Sequence, residues 1–162
     1  MKSGIVAIIG RANVGKSTLL NNLVGEKVAI VSAVPQTTRN QIRAILNEKR
    51  GQVVFLDTPG MHVSKHALDR AMITAINASI LGADVILHLV DSTEHIGKEE
   101  QMVIERLSKI AVPIVLGLNK IDKAPKCFDE YILAWEKKIN KKLSEATDRI
   151  MPVPFSARQP IR

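Results

Sequence analysis

The chain has 162 residues, the size of one domain, and its 46% hydrophobic and 24% charged residues suffice for a packed core, which excludes a disordered chain. Its single cysteine, Cys127, excludes an internal disulfide and a cysteine-based metal cluster, as suits a reducing compartment. The formal charge of +7 is uneven: 8 Lys/Arg against 3 Asp/Glu over residues 1–60, 6 against 8 over 61–122, and 9 against 5 over 123–162.

Gly4 to Ile9 is a short apolar run of buried-strand length. Its apolar part is too short to span a bilayer and lacks a signal peptide's cleavage pattern, so a cytosolic chain is expected. Gly10-Arg11-Ala12-Asn13-Val14-Gly15-Lys16-Ser17 follows, reading G-x-x-x-x-G-K-[ST], and Lys16 to Val24 has helical character. Strand, glycine loop and helix form the phosphate-cradling arrangement. Its backbone N–H groups converge on one spot, and the helix N-terminus adds partial positive charge there. Lys16 is expected at the β- and γ-phosphates and Ser17 on Mg²⁺, with Gly10, Asn13, Val14, Gly15 and Thr18 completing the cradle.

Gly25 to Gln41, with Pro35-Gln36-Thr37-Thr38-Arg39, reads as a long functional loop. Ile42–Glu48 and Gln52–Asp57 are strands whose connector is too short for a parallel crossover, so they form an antiparallel hairpin. Ala67–Leu81 is a predicted helix, Asp84–Asp91 a buried strand, Lys98–Ile110 an amphipathic helix and Pro113–Asn119 another buried strand. Phe128–Ala146 reads as a surface helix, and Ile150–Phe155 as a strand that its two prolines confine to a sheet edge. The expected fold is α/β, a P-loop NTPase with a mostly parallel six-stranded sheet, one antiparallel hairpin strand and helices on both faces.

In such a sheet, ligands bind beyond the carboxyl ends of the strands. Asp57-Thr58-Pro59-Gly60 reads D-x-x-G, an acid for Mg²⁺ and a glycine whose N–H approaches the γ-phosphate. Asn119-Lys120-Ile121-Asp122 reads N-K-x-D. A buried Asp122 carboxylate accepts from guanine N1–H and its exocyclic amine; adenine offers neither, a mismatch on the order of 10⁴-fold. Asn119 is expected to fix the loop and contact the base, the Lys120 stem to lie over the purine, and Ser156-Ala157 to offer a backbone N–H to guanine O6. The basic ends suit a polyanion such as RNA or an anionic membrane, or the nucleotide's phosphates plus a solvated face; with 3% aromatic residues, base-stacking platforms are scarce.

These motifs are similar to those of the translation-factor-related GTPases. Pro35 to Arg39, Asp57 to His62 and Lys65-His66-Ala67-Leu68 together resemble the Era family, across essentially the whole chain. The resemblance implies GTP hydrolysis, assembly of the small ribosomal subunit, binding to its ribosomal RNA and loose, peripheral association with the inner membrane. It implies that Thr38, with Thr37 as competing candidate, ligates Mg²⁺ and senses the γ-phosphate beside Lys16 and Gly60. Two departures stand out: Ala12 replaces a usual proline, and the chain stops at Arg162, so residues 1–162 are expected to be a GTP-binding domain truncated after Ser-Ala, without the final helix or the RNA-binding KH domain. The sheet face beside Ile5–Ile9 is then expected to be thinly covered.

Where many GTPases carry a water-orienting glutamine this chain has Met61, which implies slow intrinsic hydrolysis completed by the switch loops or a partner. In related GTPases an asparagine at the position of Asn13 helps hold K⁺ beside the phosphates; the alternative is that Asn13 only tolerates the turn. Arg39 and Arg43 are finger candidates or solvated side chains. The four histidines (His62, His66, His88, His95) show no paired metal spacing, and zinc is not expected. Rival functions are a GTPase of tRNA modification or large-subunit assembly, a pseudo-GTPase that holds nucleotide without turnover, and a P-loop kinase or ATPase, against which Asn119 to Asp122 argue.

Overall fold

The computed structural model describes residues 2–25, 41–57 and 68–159. The strands are β1 (Lys2–Ile9), β2 (Gln41–Glu48), β3 (Gly51–Asp57), β4 (Val85–Asp91), β5 (Ile114–Asn119) and β6 (Ile150–Pro154), and the helices α1 (Lys16–Val24), α2 (Leu68–Ile80), α3 (Lys98–Ser108) and α4 (Phe128–Ile139). Among the described residues they build one sheet in the order β2-β3-β1-β4-β5-β6. Every pairing is parallel except the β2–β3 hairpin, closed by the turn at Lys49 and Arg50. The expected fold class is therefore observed. The expected switch residues Thr37 and Thr38, the finger candidate Arg39, and Gly60, Met61, His62 and His66 beyond β3 lie outside the described residues.

The apolar runs divide by parity between the two sheet faces. Ile9, Ile86, Val90, Ile114, Leu116, Leu118 and Ile150 point to one face, where α2 (Ile76), α3 (Val103, Ile104, Leu107) and α4 (Tyr131, Trp135) bury them. Ile8, Phe55 and Ala44 point to the other, under Leu20 of α1. Beyond α1 the coverage thins, one strand further over than expected. Leu87, Leu89 and Phe155 converge within 3.3 Å of where a Gly117 side chain would begin, Leu87 and Phe155 stay only partly buried, and Met151 is 48% exposed.

One element differs from its sequence reading. The last helix ends at Ile139, because Asn140 turns left-handed (φ 53°, ψ 40°) and the Lys141 N–H closes onto the Glu136 carbonyl at 3.2 Å. The chain resumes in a short 3₁₀ turn, Leu143–Glu145, that returns Leu143 to the core. This helix presents lysines to solvent, yet Trp135 is fully buried and Leu133 is 62% exposed, so its core stripe is narrower than its apolar content. The edge position of β6 holds. Phe155 donates to the Leu118 carbonyl at 3.0 Å, so by alternation Pro152 and Pro154 stand where an N–H would point away from β5.

Among the described residues, His88 and Glu100 meet as a polar pair inside the core. His88 of β4 and Glu100 of α3, both essentially unexposed, meet through Nε2 and Oε1 at 2.7 Å, and His88 stands edge-on to Trp135 at 5.7 Å. His88 Nδ1, Glu100 Oε2 and Trp135 Nε1 have no hydrogen-bond partner among the described residues. Removing one partner leaves the other buried and unmatched, which costs more than the intact pair contributes. Glu100→Ala is expected to destabilise the fold by roughly 3 kcal/mol in urea unfolding, and His88→Leu with Glu100→Met to recover most of that loss.

Candidate functional site

The parallel strands β1, β3, β4, β5 and β6 end on one rim, delivering Gly10, Asp57, Asp91, Asn119 and Ser156 in turn. The chain moves to the other side of β1 after β3, so the crevice beyond β1 and β4 is where strand order reverses.

Gly10 lets the phosphate loop cross β4 closely: a Cβ there would stand 2.4 Å from the Leu89 carbonyl oxygen. Asn13 (φ 63°) and Gly15 (φ 104°) take left-handed conformations that curl the loop before α1 begins at Lys16. A Cβ on Gly15 would also meet the Asn119 side-chain nitrogen at 2.4 Å. The Lys16 ammonium donates to the Gly10 and Arg11 carbonyls, the latter at 3.2 Å, and so spans the loop that the phosphates are expected to enter. Ser17 and Thr18 are exposed at the start of α1. Asp57 ends β3 on this rim; its side chain lies outside the described residues. Arg11 pairs with Glu94 (3.8 Å) and Glu99 (3.5 Å), fastening the loop to the start of α3.

Asn119 knits three segments together. Only 2% exposed, it donates from Nδ2 to the Val14 carbonyl at 2.7 Å and accepts the Ala157 N–H on Oδ1 at 2.8 Å. Its own carbonyl accepts the Ser92 N–H at 3.1 Å and the Ser92 hydroxyl. The loop-fixing role expected of Asn119 is thus in place. The N–H expected at guanine O6 is already engaged if it is that of Ala157, so a base oxygen there has to share it or take that of Ser156. Asn22 of α1 caps the same corner by donating to the Ala157 carbonyl.

Lys120, left-handed at φ 66°, reaches to the end of the neighbouring strand β4 and donates to Asp91, which also accepts the Thr93 N–H (3.0 Å) and hydroxyl (2.6 Å). Burial pushes the Asp91 carboxyl up, but the bonds from Lys120 and Thr93 outweigh it and hold it below the usual range. Asp122 is exposed, not buried as expected, because its short 3₁₀ turn (Ile121–Lys123) projects it from the rim. The Ser156 hydroxyl bonds to it and, with Arg158 and Lys123 nearby, holds its carboxyl below the ordinary value. Asn13, Gly15, Thr18, Asn119, Lys120, Asp122, Ser156 and Ala157 line one polar cleft, completed by Lys123 and Arg158. Sequence reasoning passed over Asp91, Ser92, Asn22 and Arg11. Asp91 had a signal, an acid closing a buried strand on the rim; the others act through partners far along the chain.

Residues 5–120 match the family described as 50S ribosome-binding GTPase. Over 165 residues the chain is 42% identical to GTPase Era of Heliobacterium modesticaldum, covering 96% of this chain and 55% of that protein. It resembles the crystal structure of Era in complex with MgGDPNP and nucleotides 1506–1542 of 16S ribosomal RNA (36% identity, TM-score 0.66, 98% of this chain and 52% of that one). It also resembles Aquifex aeolicus Era bound to GDP·AlF4⁻ (34% identity, TM-score 0.64, 98% and 52%). The chain spans about half the length of these relatives.

Cutting the Asn119 bridge separates the phosphate loop from the Ser156-Ala157 turn and leaves the Val14 carbonyl and Ala157 N–H unmatched. Asn119→Ala is expected to weaken GDP binding at least about tenfold in calorimetric titration and to lower stability by about 2 kcal/mol.

Proposed function

The chain belongs to the family of 50S ribosome-binding GTPases, and from that premise we propose that it binds GTP and hydrolyses it to GDP and phosphate, as an Era-like switch in assembly of the small ribosomal subunit. The observation that carries the reading is the Asn119 bridge: a loop of guanine-recognising type is bonded at 2.7 Å to a loop of phosphate-cradling type. A ligand touching both has a base at one end and phosphates at the other.

In this reading Gly10, Asn13, Val14, Gly15, Lys16, Ser17 and Thr18 surround the phosphates, while Asn119, Lys120, Asp122, Ser156 and Ala157 surround the base. Ser17, Thr38 and Asp57 hold Mg²⁺, an assignment supported by an exposed hydroxyl at the start of α1 and by an acid at the end of β3, the strand paired with β1. When bound, Mg²⁺ offsets negative charge on the β- and γ-phosphates. Lys16 shares that task, exchanging its bonds to Gly10 and Arg11 for phosphate oxygens, and the loop's N–H groups need no reorganisation. Thr38 and Gly60 sense the γ-phosphate, and with Met61 in place of a water-orienting amide the unaided rate is slow.

Asn13, exposed and left-handed over the cradle, holds K⁺ beside the phosphates. The protein acts in the cytoplasm with peripheral contact to the inner membrane, a reading supported by its likeness to Era and by the basic excess. Contact with 16S ribosomal RNA rests on the complex known for Era, of whose length this chain spans 52%. The family description, with its 50S subunit, favours large-subunit assembly as the second reading; the ribosomal particle that co-sediments with the GTP-bound protein separates the two.

Calorimetry is expected to give a preference for GDP over ADP of about 10³-fold or more. Asp122→Ala should remove most of that preference, weakening GDP binding and strengthening ADP binding as adenine no longer desolvates an unmatched carboxylate; equal affinity for both nucleotides in the parent chain ends the assignment. Phosphate release from GTP is expected to run several-fold faster in KCl than in NaCl, and Asn13→Ala to abolish the difference. Equal rates in the two salts remove K⁺ from the mechanism without touching the guanine site.

A further inference from the structure

Across the described residues one cluster brings together three kinds of metal-ligating side chain. His95 lies in the loop between β4 and α3, Cys127 precedes the first turn of α4, and Glu130 lies within that turn. Their ligand atoms all lie within 4.8 Å of one another. We propose that His95 Nδ1, Cys127 Sγ and a Glu130 carboxylate oxygen form a binding site for a borderline-soft divalent cation of the Zn²⁺ or Co²⁺ type, separate from the nucleotide's Mg²⁺.

Donor chemistry selects the ion. Imidazole nitrogen, thiolate sulfur and carboxylate oxygen are the ligands Zn²⁺ takes, whereas Mg²⁺ and Ca²⁺ require oxygen throughout. Ligands of a tetrahedral ion with bonds of about 2.0–2.3 Å stand roughly 3.3–3.8 Å apart. The cluster brackets that spacing, from 2.7 Å between His95 Nδ1 and Glu130 Oε2 to the 4.8 Å limit. The His95 side chain is 85% exposed, so its ring has room for the shifts required, roughly 0.6 Å away from Glu130 and up to about 1 Å toward the sulfur.

The other two ligands are held in place. Cys127 and Glu130, three apart at the start of α4, share one side of the turn. The second Glu130 oxygen accepts the Ile96 N–H at 3.0 Å, an orienting bond of the kind that supports metal-bound carboxylates. The Cys127 N–H is anchored on the Ser92 carbonyl at 3.1 Å. Burial, with Glu130 and Asp91 nearby, pushes the Cys127 thiol up, and a divalent cation supplies the charge that stabilises its thiolate. None of the three residues lines the guanine cleft. Three ligands leave a fourth position on the exposed side of His95, so the ion staples the loop to α4 with water completing its shell.

The histidine spacing concealed this site, since its donors sit at positions 95, 127 and 130 and only one is a histidine. The competing account is a plain latch in which His95 and the Ile96 N–H bond to Glu130 and no metal enters.

Co²⁺ distinguishes the two. The chain is loaded with GDP in excess Mg²⁺, so the nucleotide site is filled, and titrated with CoCl₂. Cys127 is the only cysteine of the 162 residues, so a sulfur-to-cobalt charge-transfer band reports this site alone. The expected result is that band, with visible absorption of tetrahedral type, saturating at one ion per chain and displaced by Zn²⁺. His95→Ala, an exposed substitution, is expected to weaken Co²⁺ binding roughly tenfold or more with GDP affinity unchanged; Glu130→Gln should act in the same direction. Absence of the band at saturating Co²⁺ overturns the proposal. So does a band and affinity unaltered by His95→Ala, which would leave Cys127 acting alone.

Discussion

The side-chain amide of Asn119 is the interaction on which the rest of the site depends. One planar group donates to Val14 in the phosphate loop and accepts from Ala157 beyond β6, while its backbone carbonyl holds Ser92 beyond β4. Three turns that the chain visits at widely separated times are fixed to one buried atom group. An aspartate would lose the donor, and a glutamine would overreach by a methylene. Gly15 belongs to the same constraint, because only a residue without a side chain lets the amide come so near the loop. With the two halves of the cleft joined beforehand, a ligand that spans them need not order them on arrival.

β4 supports this arrangement from both faces. It lies between β1 and β5, and its closing residues Asp91 and Ser92 hold Lys120 and Asn119 on the rim. Its carbonyl at Leu89 is the surface against which Gly10 turns. On the opposite face of the strand His88 is bonded to Glu100, which ties the strand to α3, and Arg11 ties the phosphate loop to the start of that helix through Glu99. A buried ionisable pair is a poor way to gain stability. Its evident effect here is to define how α3 seats on β4, and so where the acids that hold Arg11 stand.

How much of this was legible in the chain depended on how local the signal was. The phosphate loop, the hairpin and the N-K-x-D turn are set by residues within a few positions of one another, and all three lie where their spacing places them. The helix end at Asn140 was missed because an apolar pattern continues past it, and one left-handed residue overrides that pattern. The exposure of Asp122 was missed because a motif names a partner for its carboxylate without saying who covers it beforehand. Asn22, Arg11 and the trio of His95, Cys127 and Glu130 find their partners through the fold, and no spacing rule reaches across such separations.

The exposure of Asp122 changes how base selection has to work. A carboxylate already buried and unmatched would be strained before any ligand came; here it rests in water, steadied by the Ser156 hydroxyl and by Arg158 and Lys123. Any purine that settles into the cleft strips water from it. Under the proposed function guanine would return two N–H donors for that loss and adenine none, so the penalty would fall on the wrong base at the moment of binding and not on the empty fold. Lys120 does not compensate, since its ammonium is committed to Asp91 at the end of the neighbouring strand. Under the proposed guanine reading, discrimination resides in the desolvation of one exposed acid while the neighbouring ammonium is held on Asp91.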